Sequence, residues 1–191
     1  MPISSNILAT SEITAISAAM QGPVQADEYR LPAAGDFSGI PDLFAYPVKN
    51  FGRFPDSAKA ACAACALVFK AAGLTYAKGG RTPIALLCAG YQPTADMNEA
   101  FFRDYIDGGR TMGRGNLFIY TLPTSPAAEV SIHFGLAGPT LFLQNDEDPE
   151  GDLVTAAGQM LAGSQAEKAV CIWQDRDRTR CNLIGGRRAR P

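Results

Sequence analysis

The longest apolar stretch of this sequence, residues 60–69, is the feature that most limits the folds open to the chain. Its ten residues lie between Lys59 and Lys70. The run is too apolar for a helix with a wide solvent face, and it is about half of the roughly 20 residues that a membrane-spanning helix needs. It belongs to an Ala- and Cys-rich stretch, residues 55–72, which ends before Gly73, a residue typical of helix C-termini. We therefore predict a largely buried helix inside a globular domain.

Shorter apolar runs alternate with helical patterns along the rest of the chain. The predicted strands are residues 83–88, 140–143 and 169–173, the first two of them buried, with a hairpin from 171–174 back through 180–184. The predicted helices are residues 98–106, 125–134, with Ser125 as N-cap, and 153–161. The first fifty residues are predicted to be irregular with one possible strand, and residues 117–122 extended. This alternation favours an α/β layered domain with a largely parallel sheet.

Length and charge narrow the possible functions. The chain has 191 residues, the length of one domain, and a net charge of −2, so nothing in the overall charge draws it to nucleic acid. Positive charge is concentrated in residues 175–191, which hold six arginines and two aspartates. We interpret this segment as a solvated basic tail, or as a contact for an acidic partner such as a carrier protein. No basic residue precedes Arg30, so we expect no charged leader and a cytoplasmic location.

Three patterns suggest cofactor or metal chemistry, but each has a simpler structural explanation. Cys62 and Cys65 have metal or redox spacing, yet they lie in the apolar helix, so we expect all five cysteines to be reduced core residues. The acidic residues 146–152 resemble the start of a calcium loop, but Ala157 stands where a glutamate ligand is needed. We expect these carboxylates to complement a helix N-terminus instead. The glycines of residues 108–115 lack the Lys-Ser/Thr of a phosphate loop, so no cofactor and no metal are predicted.

His133 is the only histidine of the chain. Its position on a short apolar helix is typical of a packed or surface residue. A mechanism that needs two imidazoles from this chain is excluded by the count alone.

The segment from Leu122 to Pro139 resembles the N-terminal half of β-ketoacyl synthases, the condensing enzymes of the thiolase-like superfamily. Its most specific part is Gly135-Leu-Ala-Gly-Pro139. Arg53-Phe-Pro-Asp56 is similar to the start of the long buried helix in that family, and the similarity covers roughly residues 45–173. The resemblance implies a single ketosynthase N-terminal-like domain over residues 1–191, with α/β/α layers and a mixed, mostly parallel sheet.

The same resemblance implies that this chain has lost the catalytic groups. In the family the nucleophilic cysteine follows the Gly-Pro by eight residues, at a strand-to-helix bend, and here that position is Glu147, within Gln144-Asn-Asp-Glu147. The two catalytic histidines of the family belong to a C-terminal half. If the Glu147 carboxylate attacked an acyl group, it would form a reactive anhydride and not a stable thioester. We therefore expect no catalytic residue in this chain.

Two functions follow from this comparison. The chain resembles chain-length factors, inactive homologues that pair with an active ketosynthase and shape its acyl tunnel, as in aryl-polyene and related polyketide pathways. By position, the residues near the partner's pocket would be Leu122, Thr124, Ser125 and Glu129. The alternative is an acyltransferase or decarboxylase that uses Glu147 or a partner chain. The expected partners are a full-length ketosynthase or a second copy, with an acyl carrier protein as a further candidate, and no nucleic acid or membrane insertion.

Overall fold

The computed structural model describes residues 6–15, 17–144 and 147–185. The strands are β1 (Asn6–Thr14), β2 (Ser17–Gln21), β3 (Ala26–Arg30), β4 (Ile84–Gly90), β5 (Thr140–Leu143), β6 (Lys168–Gln174) and β7 (Arg178–Gly185). The helices are α1 (Asp56–Ala72), α2 (Ala95–Asp107), α3 (Gly115–Phe118), α4 (Ser125–Phe134) and α5 (Pro149–Ala162), with 3-10 turns at Phe51–Arg53 and Ile119–Thr121. No helix in the described ranges is both long and apolar enough to cross a bilayer.

The strands form one mixed sheet in the order β3-β2-β1-β7-β6-β4-β5. β4 pairs in parallel with β5 and with β6, whereas the other four neighbouring pairs are antiparallel. Five of the seven described strands nevertheless point in one direction, with β2 and β7 reversed. The predicted α/β class and mixed sheet are confirmed, and parallel pairing is confined to the two neighbours of β4.

Two apolar clusters lie on opposite faces of this sheet, which confirms the predicted layers. On one face α1 and α4 pack together and cover β1, β7 and β6, with Val130 and Phe134 of α4 buried there. On the other face α5 buries Leu153 and Ala157 against β4 and β6. The sheet is thus the middle of three layers.

The predicted buried helix is α1. Its small Ala and Cys side chains let the backbone approach the sheet closely, and the Ser11 hydroxyl of β1 donates a hydrogen bond of 2.8 Å to the carbonyl of Ala64. Gly73 ends the helix in the left-handed conformation, with φ of 67°. All five cysteines are buried and reduced, as predicted.

The prediction of an irregular N-terminus is wrong, because residues 6–30 form three strands. Only alternate residues of β1 face α1, namely Ala9, Ser11 and Ile13. Just one of these three is a large apolar residue, so the period of two expected for a half-buried strand is weak in the sequence. The strand is held mainly by its antiparallel pairing with β7, at the far end of the chain.

Two further predictions need correction. Residues 117–122 are not extended but complete α3 and the 3-10 turn Ile119–Thr121. Residues 140–143 do form a strand, β5, but it is not buried, because it lies at the edge of the sheet with Leu141 41% exposed. A continuous apolar run does not distinguish an edge strand from a central one.

The predicted basic tail includes a core strand. The hairpin of β6 and β7 is confirmed, and it places Arg178–Gly185 between β1 and β6 in the middle of the sheet. This part of residues 175–191 is therefore not a solvated end. Residues 186–191 lie outside the described residues.

Candidate functional site

The junction between α4 and β5 requires both glycines of Gly135-Leu-Ala-Gly-Pro139. Gly135 ends α4 with φ of 63°, and a Cβ atom there would lie 2.0 Å from the carbonyl oxygen of Gly80. A Cβ atom on Gly138 would lie 2.6 Å from the carbonyl oxygen of Ile84. The two glycines let the chain pass close to the start of β4 and enter β5 in parallel with it.

The carboxyl ends of β4 and β5 form a topological switch point. The chain leaves β4 towards α4, on the α1 face, and leaves β5 towards α5, on the other face. In open α/β sheets, ligands bind in the crevice that such a divergence creates. Glu147 lies there, exposed, after β5 and directly before Asp148, the N-cap of α5. The structure thus places Glu147 at a strand-to-helix corner.

The N-terminus of α5 is neutralised by side chains of this chain. The Asp148 Oδ1 atom accepts a hydrogen bond of 3.0 Å from the backbone N–H of Gly151. Glu150 and Asp152 lie in the first turn, as the acidic pattern predicts, while residue 146 lies outside the described residues. Within the described ranges, no three potential ligands are grouped so as to hold a metal ion.

Arg180 connects this helix end to the sheet. Its Nη1 atom lies 2.9 Å from Glu150 Oε1 and 3.2 Å from Glu150 Oε2, and its Nε atom donates a hydrogen bond to Glu12 of β1. These two carboxylates raise the pKa of the Arg180 guanidinium, mainly through the hydrogen bond to Glu12. The groups around the α5 N-terminus therefore already have partners within the chain.

The thiols nearest the corner are buried: Cys88 lies close to the carboxyl end of β4, and Cys171 Sγ lies 3.7 Å from the Leu153 carbonyl of α5. Burial raises the pKa of Cys62, Cys65, Cys88 and Cys171. These groups are thus held as neutral thiols in the core, and a neutral thiol is a poor nucleophile.

His133 is a packed residue and not part of the corner. Its ring lies among aromatic rings, with centroid distances of 4.5 Å to Tyr46 and 4.9 Å to Phe134. Burial lowers the pKa of His133 to about 4. Its Nε2 atom is buried without a hydrogen-bond partner among the described residues.

The four residues predicted to lie near a partner divide into two pairs. Leu122 and Thr124 are exposed on the surface. Ser125 is buried and donates its hydroxyl to the carbonyl of Ile119, so the prediction that Ser125 is the N-cap is wrong, because Thr124 has that position. Glu129 accepts a hydrogen bond of 2.9 Å from the hydroxyl of Tyr120. Ser125 and Glu129 therefore position the 3-10 turn that precedes Leu122.

Residues 91–124, which we call the arm, form a surface that the sequence patterns do not predict. Thr94 is the only buried residue of the arm. The amphipathic pattern of α2 suggests a buried face, but the consecutive Phe101 and Phe102 cannot share one side of a helix. Phe101 packs on Phe118, with ring centroids 5.5 Å apart, and Phe102 is 61% exposed. The exposed large apolar residues of the arm beyond Tyr91 are Phe102, Ile106, Met112, Phe118, Ile119 and Leu122.

The base of the arm, where Thr94 and Asn98 meet residues 118–122, is firmly held despite this exposure. The carbonyl of Thr121 accepts hydrogen bonds from the Thr94 hydroxyl, at 3.1 Å, and from the Asn98 amide, at 3.3 Å. Together with the bonds of Ser125 and Glu129, these contacts fix the backbone that presents Phe118, Ile119 and Leu122.

A cavity of about 360 Å³ lies between the N-terminal ends of α1 and α2 and the β6–β7 turn. Its lining combines apolar side chains, such as Ile13 and Phe37, with charged ones, among which the Arg176 Nη2 atom lies 3.6 Å from Asp96 Oδ1. Neither Glu147 nor the four predicted partner residues line this cavity. It is therefore separate from the corner, although Thr94 of the arm base is among the residues that line it.

No protein-family model and no curated protein matches the sequence. Solved structures do match, and the decisive one is the ishigamide ketosynthase/chain length factor, with a TM-score of 0.67 over 98% of this chain at 10% sequence identity. The chain has the ketosynthase fold. This confirms the thiolase-like architecture that the sequence resemblance implies.

Two further structures agree with that fold. The complex of the ketosynthase ApeO with its chain length factor ApeC, from Xenorhabdus doucetiae, matches with a TM-score of 0.61 over 96% of this chain, at 11% identity. AntDE:AntF, a type II acyl-carrier protein in complex with its ketosynthase, matches with a TM-score of 0.59 over 94% of this chain, at 12% identity. The chain spans 63%, 79% and 64% of the matched chains in these three structures.

Proposed function

We propose that this chain is a non-catalytic ketosynthase-like subunit, of the chain-length-factor type, that pairs with a full-length ketosynthase in fatty acid or polyketide biosynthesis of the aryl-polyene kind. The observation that carries the proposal is the arm, whose base presents Phe118, Ile119 and Leu122 to solvent on a firmly held backbone. Monomeric proteins seldom leave apolar side chains grouped in this way unless the surface binds a partner.

The corner supports a non-catalytic role. Ketosynthase chemistry needs a nucleophile at the helix N-terminus, and the α5 end is capped by Asp148 and has Glu147 before it. All five thiols are buried, burial holds Cys88 and Cys171 neutral, and His133 is packed among aromatic rings. Without a thiolate and an imidazole at the crevice, acyl transfer through a thioester has no route in this chain.

The edge of the sheet offers a second element for the same interface. β5 is an edge strand of the sheet, so one side of its backbone pairs with no strand in the described part of the chain. Ile132 of α4, the helix that leads into this strand, is 77% exposed. A partner that covers the arm base, α4 and the β5 edge together would bury apolar area and pair the strand, which is a stable form of subunit contact.

Co-purification with the cognate ketosynthase tests the proposal. The tagged chain, expressed in its native host, is expected to capture a full-length ketosynthase identified by mass spectrometry, and adding the chain to that enzyme is expected to change the length of its products. Leu122→Asp is expected to weaken the capture at least tenfold, because it places a charge in the interface. Val24→Asp, at an exposed apolar residue outside the arm, is the matched control. Recovery of the ketosynthase without this chain, with unaltered products, would contradict the proposal.

Intact-mass measurement tests the alternative enzyme. After incubation with acyl-carrier and malonyl-carrier substrates, the purified chain is expected to show no acyl adduct and no decarboxylation of the malonyl group. An adduct or turnover that disappears in Glu147→Ala would establish the acyltransferase or decarboxylase alternative and reject the non-catalytic role.

A further inference from the structure

The far end of the arm differs from its base. We call residues 105–112, the last turn of α2 and the turn after it, the tip. Ile106 is 40% exposed and Met112 is 83% exposed, the highest value among the large apolar residues described. Met112 is therefore largely in solvent and Ile106 partly so, at the end of α2 that is remote from the hydrogen bonds of the arm base.

The negative charge of Asp107, at the tip, is poorly placed for an isolated subunit. Asp104 and Asp107 lie in the last turn of α2, where the helix dipole disfavours an acid. Asp104 is compensated by Arg114, whose Nη2 atom lies 2.7 Å from its Oδ1 atom. Asp107 is exposed and has no salt bridge with any residue in the described ranges. A cation from outside the chain would stabilise it.

The turn after α2 presents such a cation in a defined position. Arg110 adopts the left-handed conformation, with φ of 61°, which is uncommon for a residue other than glycine. The turn is held by hydrogen bonds from the Arg110 N–H to the Tyr105 carbonyl, at 2.9 Å, and from the Thr111 hydroxyl to the Gly108 carbonyl, at 3.0 Å. Within the described part of the chain the Arg110 side chain forms no salt bridge.

The tip thus combines an apolar centre with one uncompensated acid and one uncompensated base three residues apart. A twofold contact requires a surface that is complementary to itself, with each residue i meeting j of the other subunit. We propose that the tip binds the tip of a second copy of this chain, with Ile106 and Met112 at the centre and Asp107 of each copy paired with Arg110 of the other. The contact leaves the arm base free, so it is independent of ketosynthase binding.

Charge-reversal variants test the proposed pairing of Asp107 with Arg110. Sedimentation equilibrium of the full chain over a wide concentration range is expected to show a reversible dimer. Asp107→Arg and Arg110→Asp, each alone, set like charges against each other and are expected to weaken dimerisation at least tenfold. An equimolar mixture of the two variants restores both opposite-charge pairs and is expected to recover the wild-type association. Lys49→Asp, an exposed charge reversal outside the arm, is the control and is expected to leave association unchanged.

Three results would overturn the proposal. These are a monomer at every concentration, a dimer that is insensitive to both single variants, and variants that weaken the dimer but do not recover it when mixed. All the substituted side chains are exposed, so folding is expected to persist, and circular dichroism checks it. Because ketosynthase capture is measured separately through Leu122→Asp, failure of the tip contact is distinguishable from failure of the proposed function.

Discussion

The Oδ1 atom of Asp148 lies 3.0 Å from the backbone nitrogen of Gly151, so the helix that follows Glu147 is capped from its own chain. Asp148→Ala is expected to lower the free energy of unfolding by about 1 kcal/mol, because it leaves an N–H of the first turn without its partner. Asp148→Asn keeps an acceptor and is expected to lose much less. Urea denaturation of the two variants compares them, and equal losses would show that the cap contributes nothing.

The left-handed Gly135 makes the α4–β5 junction sensitive to a single methyl group. Gly135→Ala is expected to cost at least about 2 kcal/mol, because it adds left-handed strain to a clash with the Gly80 carbonyl. Gly115→Ala is the matched control, since a Cβ atom there has no neighbour within 4 Å. We expect that variant to change the free energy of unfolding by less than about 1 kcal/mol. If denaturant midpoints of the two variants coincided, the proposed role of Gly135 would be refuted.

His133 is expected to make the fold sensitive to acid. Burial lowers its pKa from 6.5 to about 4, so the unfolded chain binds a proton more readily than the folded one. Its stabilising contribution is therefore complete above pH 6.5 and is lost as the pH falls towards 4, by up to roughly 3 kcal/mol. His133→Phe keeps an aromatic ring and is expected to flatten this part of the stability profile. A variant with the wild-type slope between pH 6.5 and 4 would assign the acid sensitivity to other groups.

Tyr76 and Tyr120 are expected to limit stability at high pH. Burial raises the pKa of both hydroxyls from 10.0 to about 12, and for Tyr120 the hydrogen bond to Glu129 adds to the effect. The folded state holds these protons more tightly, so the contribution is complete below pH 10 and is lost as the pH rises towards 12. Tyr120→Phe is expected to reduce the alkaline slope measured by fluorescence-monitored unfolding, and an unchanged slope would contradict this assignment.

The elements that were predicted correctly are those whose burial is encoded locally. In α1, β4 and β6 most side chains are apolar and most are buried, so the apolar composition of the sequence is enough to predict their burial. The sequence patterns do not predict β2 and β3, which pair with their chain neighbours but contain mostly small or polar residues. They do not predict β1 either, because much of its pairing is with the far end of the chain, as in the contact of Asn6 with Gly185. Local sequence has no information about a partner that lies almost a chain length away.

The site was predictable to a similar extent. The motif spacing placed Glu147 at a strand-to-helix corner, because glycines at 135 and 138 fix the path of the chain into β5. The arm was not predictable, because an apolar helix face that is exposed to solvent has the same sequence pattern as one that packs on the core of its own chain. The Phe102 side chain, which is exposed on α2, illustrates that ambiguity.

The burial of all five native cysteines has a practical consequence. A thiol introduced on the surface, as in Met112→Cys, is expected to be the first group that reacts with a maleimide in the folded protein, with no need to replace the native ones. The chain can therefore be labelled at a chosen surface position without first removing its native cysteines. A fluorophore or spin label attached to the arm would then report distances between the subunits of an assembly.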